Sequence, residues 1–213
     1  MGETGPVTII DIPSWKLYFF TKLPRPIKQG RLAPSDNILN GKVSIWNGNI
    51  TRLKLDAIVN ATNAQLKGNP KGSVGSAIHN EAGPRLLAYL EQIGGCETGK
   101  AIITPGFNLF ANYVIHTTSP TNSDEESLAQ CYRSCLNILV EMGLRTIAFP
   151  CIATGACGYP QAEAAHIAIR ETWKFLSVNH HKVDRIVFCT YLPEDTFTYD
   201  ALMQLYFPVE NLI

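Results

Sequence analysis

Five short runs of apolar, mostly β-branched residues recur after residue 40: Val43-Ser44-Ile45-Trp46, Ala57-Ile58-Val59-Asn60, Tyr113-Val114-Ile115-His116, Thr146-Ile147-Ala148-Phe149 and Arg185-Ile186-Val187-Phe188-Cys189. Runs of this length, apolar almost throughout and bounded by polar turns, predict strands of a sheet covered on both faces. Between them the period changes. Leu128, Cys131, Tyr132, Cys135, Leu136, Leu139 and Val140 recur at helical spacing and predict a helix over 124–142, with Ser123 and Glu126 as its capping box. A second helix is expected to carry Pro160 in its first turn and to run to Val178, a third to run from Val74 to Leu90, and a short one from Thr198 to Leu205. Alternating strands and helices predict a three-layer α/β architecture with a mixed or largely parallel sheet.

The first forty residues lack this pattern. Prolines at 6, 13, 24, 26 and 34 remove backbone donors, so residues 1–40 read as an irregular arm. Ile9 to Trp15 and Leu17 to Phe20 are expected to tuck against a domain formed by 41–213. A chain of 213 residues with 46% apolar composition has the material for one substantial core. With 17% charged residues and a mean hydropathy of +0.01, it lies far from disordered compositions.

Lysine plus arginine (18) equal aspartate plus glutamate (18), which argues against a broad basic face for nucleic acid while leaving room for a local anion pocket. No apolar run approaches a membrane span, and the first residues lack the basic-then-apolar order of a signal peptide, so a soluble protein that does not engage a membrane is expected. Six cysteines lie scattered in apolar segments, with no Cys-x-x-Cys and no histidine pair at zinc spacing. Buried free thiols in a reducing compartment, cytoplasmic or nuclear with mitochondria not excluded, are the expectation, and no metal or cofactor is assigned. His180-His181 have no third ligand in reach.

In open α/β sheets a ligand sits outside the carboxyl ends of the strands. Two segments there stand out. After Ile58-Val59 comes Asn60-Ala61-Thr62-Asn63, then a glycine-interrupted loop, Gly68-Asn69-Pro70-Lys71-Gly72-Ser73-Val74-Gly75-Ser76, that opens into a helix. After Phe149-Pro150-Cys151-Ile152 comes Ala153-Thr154-Gly155-Ala156-Cys157-Gly158, again opening into a helix. Small residues let backbone N–H groups approach a phosphate, and a helix amino terminus adds partial positive charge. Either loop alone is also read as a mere tight connection; together they point to a diphosphate site. No Gly-Lys-Ser/Thr follows either loop, and the first lacks the compact Gly-x-Gly-x-x-Gly, which demotes NTP hydrolysis and hydride transfer.

Read together, Leu55 to Asn63, Ala77-Ile78-His79 with Ala82-Gly83-Pro84, Gly95 to Ala101, Tyr113 to Thr117 and Phe149 to Pro160 resemble a macrodomain of the MacroD type. Asp11 to Lys16 resembles that subgroup's leader and Leu205-Tyr206-Phe207-Pro208 its tail, so the likeness runs from residue 9 to 208. It implies a macrodomain fold, three α/β/α layers around a six-stranded mixed sheet. It also implies binding of ADP-ribose, hydrolysis of mono-ADP-ribose from acidic side chains of proteins, and deacetylation of O-acetyl-ADP-ribose.

The resemblance places the diphosphate between Ser73, Val74, Gly75 and Ser76 on one side and Thr154, Gly155, Ala156, Cys157 and Gly158 on the other. Asn63 matches the asparagine that fixes the distal ribose; from the residues alone it also reads as a turn former. Ile50, Ala61 and Val187 to Thr190 become walls around the adenine, and Tyr191 a stacking surface or simply a buried aromatic. Three positions depart from the family. Asn49 stands where an aspartate accepts from the adenine amino group; its carbonyl is expected to accept the same bond more weakly. Gly75 stands where active members carry an aspartate, so the usual catalytic carboxylate is missing. Cys157 replaces an aromatic over the distal ribose. His79 and Cys157 are considered as substitute base and nucleophile and set aside, His79 as a packed histidine and Cys157 for want of an adjacent base.

The leading expectation is an ADP-ribosyl-ester hydrolase using Asn63 and the Gly75 loop, acting as a monomer on O-acetyl-ADP-ribose and mono-ADP-ribosylated proteins. The alternative is a catalytically silent ADP-ribose reader. An RNA or poly(ADP-ribose) binding module is disfavoured by the charge balance and the lack of an aromatic and arginine stripe.

Overall fold

The computed structural model describes residues 5–27, 30–67 and 71–210. In chain order it contains β1 (Val7–Thr8), α1 (Trp15–Lys22), α2 (Asn37–Asn40), β2 (Val43–Asn47), β3 (Leu53–Lys54), β4 (Ala57–Thr62), α3 (Val74–Ala82) and α4 (Pro84–Ile93). Then follow β5 (Ala101–Pro105), β6 (Tyr113–Thr118), α5 (Glu125–Glu141), β7 (Thr146–Phe149), α6 (Gln161–Asn179), β8 (Arg185–Thr190) and α7 (Pro193–Tyr206).

A six-stranded sheet runs in the order β2-β8-β7-β4-β6-β5. All its neighbours pair parallel except β5, which lies antiparallel to β6 at one edge. Side chains alternate across it into two cores. Ala57, Val59, Ile115, Ile147, Phe149, Ile186 and Phe188 face one core, packed with α5, α6 and α7. Ile58, Val114, Ala148, Val187 and Cys189 face the other, beneath α3 and α4. Both faces are therefore covered, which explains why these strands are apolar at successive positions.

The five runs found in the sequence are β2, β4, β6, β7 and β8. The sixth strand of the sheet, β5, carries Pro105 at its end and lies at the edge, where the residue pattern is weakest. The helix expected over 74–90 is broken in two: Gly83 adopts φ 81°, closed to other residues without strain, and Pro84 starts α4. Asp124, not Ser123, caps α5, its carboxylate accepting from the Ser127 N–H at 3.0 Å. Pro160 occupies the cap position of α6, just ahead of its first turn, and α7 begins five residues earlier than Thr198, at Pro193.

The segment before residue 41 is not irregular throughout. Ser14 caps α1 between two prolines, and Asp36 caps α2 with bonds to the Ile38 and Leu39 N–H groups. Ile12 and Trp15 are buried, and the Trp15 indole N–H donates to the Phe207 carbonyl at 2.7 Å. The Ser44 hydroxyl donates to the Pro13 carbonyl, and β1 pairs with β3. Leu17 and Phe20 remain largely exposed; Tyr18 and Phe19 make the apolar contacts instead. Trp15→Ala should cost about 3–5 kcal/mol, since a filled cavity and a buried hydrogen bond are lost together. Urea unfolding at pH 7 measures this; a loss under about 1 kcal/mol would show that the arm is a loose appendage.

Candidate functional site

The parallel pairing sends the segments after β2, β8, β7 and β4 out of the same edge of the sheet. Val187 and Phe188, expected as walls of the base site, lie within β8 and are buried in the two cores; the other ligand-binding positions expected from the sequence lie on one of these segments or at the end of its strand.

Ser73 caps α3, its hydroxyl accepting from the Ser76 N–H at 3.2 Å. The Ser76 donor is thereby taken, whereas the N–H groups of Val74 and Gly75, in the first turn, have no acceptor in the helix. Gly75 is buried and helical, outside the set of residues with positive φ. Gly68, Asn69 and Pro70, part of the loop expected ahead of this helix, lie outside the described residues.

On the neighbouring strand, β7 ends in a loop folded on itself. The Tyr159 N–H donates to the Ala153 carbonyl at 3.0 Å, the Gly158 N–H to the Gly155 carbonyl at 2.9 Å, and the Thr154 hydroxyl to the Cys151 carbonyl at 3.0 Å. Ala153 is held at φ 67°, a left-handed conformation costly for a residue with a Cβ, and Gly158 at φ 66°. This shape leaves four successive N–H groups, from Thr154, Gly155, Ala156 and Cys157, without an acceptor among the described residues. A Cβ built on Gly155 meets nothing within 4 Å, so the loop opens onto free space there. Consecutive unpaired amides on a turn, beside a helix amino terminus, form an anion cradle.

Asn63 is exposed, and its amide is turned onto its own loop: Nδ2 donates to the Lys67 carbonyl, and Oδ1 accepts from the Lys67 N–H at 3.2 Å. The turn-forming role open from the sequence is thus realised in the ligand-free state. Among the described residues nothing takes its second N–H or second lone pair, which leaves both to meet a ligand.

At the β2 and β8 ends, Asn47 Nδ2 lies within 3.3 Å of the Thr190 hydroxyl and also reaches the Tyr191 carbonyl and the Thr196 hydroxyl, tying the two segments together. Asn49 caps the short turn Ile50–Arg52. Its Oδ1 accepts from both the Thr51 N–H (3.1 Å) and the Thr51 hydroxyl (2.9 Å), so the carbonyl expected to accept from a base is already occupied. Ile50 is buried, Ala61 half-buried, and Tyr191 is 75% exposed, an open ring rather than a core aromatic.

One polar group beneath this edge escaped the sequence reading. Asn60 Nδ2 and His116 Nδ1 are 3.1 Å apart, and His116 Nε2 lies 3.0 Å from the Thr104 hydroxyl, all on the face toward α3. The Asn60 amide donates, so Nδ1 accepts and Nε2 carries the proton toward Thr104, whose hydroxyl points to the Pro105 carbonyl. Burial, with nearby His79 adding to it, pushes the His116 pKa down to about 3. Burial also lowers that of His79, whose Nε2 is enclosed without a partner; it is not the satisfied core histidine expected.

A folded pKa of about 3 against an ordinary 6.5 means that the unfolded chain binds this proton first. The stability is complete above pH 6.5 and is lost as pH falls from there toward 3, at about 1.4 kcal/mol per pH unit. Between pH 7 and 5 the protein should lose about 2 kcal/mol from His116 alone. His116→Gln should flatten that dependence in urea titrations at the two pH values; an equally steep loss in the variant would assign it elsewhere.

All six cysteines are free thiols. Burial pushes Cys151 up to about 12, and no base hydrogen-bonds Cys157 among the described residues. Among those residues no three His, Cys, Asp or Glu side chains converge as metal ligands, and no helix is long and apolar enough to cross a membrane.

Comparison with known proteins agrees with this architecture. The Macro domain family model matches residues 59–168. Mouse "ADP-ribose glycohydrolase MACROD2" is 44% identical over 212 residues, covering 96% of this chain and 44% of that protein. The "Macro domain-containing protein CT2219" of Chlorobaculum tepidum is 42% identical over 173 residues, 79% of this chain and 97% of that one. A Trypanosoma brucei macrodomain solved in complex with ADP-ribose superposes with a TM-score of 0.78 at 38% identity, over 92% of this chain and 75% of that one. The chain belongs to the macrodomain family, and it spans less than half the length of the mouse relative.

Proposed function

We propose that this chain binds ADP-ribose at the carboxyl edge of its sheet and hydrolyses mono-ADP-ribose esters on acidic side chains of proteins, also deacetylating O-acetyl-ADP-ribose. The observation that carries the reading is the row of amides at Thr154 to Cys157, without an acceptor among the described residues, on the loop after β7, together with the first-turn amides of Val74 and Gly75 in the segment that follows the neighbouring strand β4. Amide donors on two such segments suit an extended anion such as a diphosphate. A named glycohydrolase among the relatives and an ADP-ribose-bound neighbour support the same ligand.

In this reading the diphosphate lies across the two loops. The purine rests toward Ile50, Ala61 and Tyr191, and the distal ribose toward Asn63 and Cys157. A water held by the ligand's own α-phosphate attacks the anomeric carbon; the bond from that carbon to the carboxylate oxygen breaks, and the water's proton passes to the phosphate and on to solvent. The amides stabilise the charge, and Asn63 orients the ribose. No protein carboxylate at position 75 assists, so turnover is slow. Residues 41–213 carry the site, and the arm stabilises it. The free thiols suit a reducing compartment, cytoplasm or nucleus, and the protein acts as a monomer.

Gly75 favours one second reading, a silent reader of ADP-ribosylated proteins. Incubation with a glutamate-linked mono-ADP-ribosylated protein separates the two. Release of ADP-ribose above the uncatalysed rate is expected; binding without release would establish the reader.

A further inference from the structure

Asn49 lies just beyond the carboxyl end of β2, whose last residue, Asn47, is in register with Thr190 at the end of β8. The backbone N–H of Thr51 fixes which way its amide points, since only the carbonyl oxygen can accept from it. The Thr51 hydroxyl takes the second lone pair of the same oxygen. Both acceptor positions are spent on the turn, and no acceptor among the described residues engages Nδ2. Asn49 is exposed, so the group it offers to a ligand is a hydrogen-bond donor.

We propose that Asn49 sets base selectivity at this site in favour of purines bearing a carbonyl at C6, as in inosine or guanosine diphosphate-ribose, over adenine. The inference rests on the reading above that the base lies at this end of the cleft. Adenine presents an amino group at C6. Opposite Nδ2 that places donor against donor, and the unmatched pair costs affinity. A 6-oxopurine presents an acceptor there and completes the pair. Tyr191, exposed on the segment that the Asn47 amide ties to the end of β2, offers a stacking face that suits any purine, which leaves the polar choice to Asn49. An aspartate would keep one oxygen on Thr51 and turn the other, a second acceptor, to the base.

Calorimetry with ADP-ribose and inosine diphosphate-ribose, identical except at the base, tests this on wild type and Asn49→Asp. Wild type should bind the inosine compound about 3- to 10-fold more tightly, the scale of one hydrogen bond. Asn49→Asp should bind ADP-ribose about 2- to 12-fold more tightly than wild type does, and should reverse the preference. Tight binding of both ligands with adenine preferred in wild type, or with the same ratio in Asn49→Asp, overturns the selectivity and leaves the site standing. Binding of neither ligand overturns the site reading, and the selectivity with it.

Discussion

Gly155→Glu is expected to abolish ADP-ribose binding without unfolding the protein. Wild type should bind in the micromolar range or somewhat weaker, roughly −6 to −8 kcal/mol. Gly155 sits in the middle of the four unpaired amides, is exposed, and has no atom within 4 Å of a built Cβ, so a longer side chain meets no protein. Its φ is not positive either, so a Cβ brings no backbone strain. What the glutamate adds is a carboxylate within a few ångströms of a diphosphate. Two like charges 4 Å apart at a surface-like effective dielectric repel by about 4 kcal/mol, and the side chain also fills the ligand's volume. The dissociation constant should therefore rise at least 100-fold, with thermal stability within a few degrees of wild type. Gly155→Ala, which adds only a methyl group in open space, should bind nearly normally. Unchanged calorimetric affinity in Gly155→Glu would remove the diphosphate from this loop.

Features legible before the structure are those set by local pattern and by burial on both faces. Ile186-Val187-Phe188 had to be a strand covered on both faces because successive residues meet opposite cores. Gly83-Pro84 was a readable break, masked by apolar residues that continue at helical spacing on either side. β5 was harder: it is placed by its pairing with β6, and a tertiary partner is invisible in a local window. The polar group around His116 was hidden for the opposite reason. Tyr113 to His116 reads as one apolar run, and nothing local reveals that Asn60 and Thr104 meet the imidazole from the strands on either side. At the site, the loops and their donors were legible, whereas the state of each side chain was not. Ser76 and Asn49 lose groups to caps, and the amide of Asn63 closes onto Lys67. Such short-range bonds depend on where a helix starts to within one residue, the least certain feature of any sequence reading.

Gly75→Asp is expected to raise hydrolysis of a glutamate-linked mono-ADP-ribosylated protein by about 10²- to 10⁴-fold, the usual contribution of a positioned general base. The backbone permits the change: Gly75 lies in the first turn of α3 with helical dihedrals, so no left-handed conformation is at stake. An acidic residue there is also favoured by the helix dipole, and α3 carries none in its first turn. Gly75 is buried, however, and its amide belongs to the cradle, so retained ADP-ribose affinity is the control that the loop survived. Asn63→Ala separates positioning from binding. Among the described residues its amide is held by the turn with Lys67 alone, which leaves it available to the ribose, and orientation matters most as the ester bond breaks. In the wild-type background Asn63→Ala should lower turnover at least tenfold while affinity falls no more than about threefold, the signature of an interaction made mainly in the transition state. Wild-type release that disappears in Asn63→Ala with binding intact would establish substrate-assisted hydrolysis without a protein carboxylate. If wild type releases nothing above background while Gly75→Asp binds normally and turns over, the chain is a reader whose cleft needs only one carboxylate to become a hydrolase.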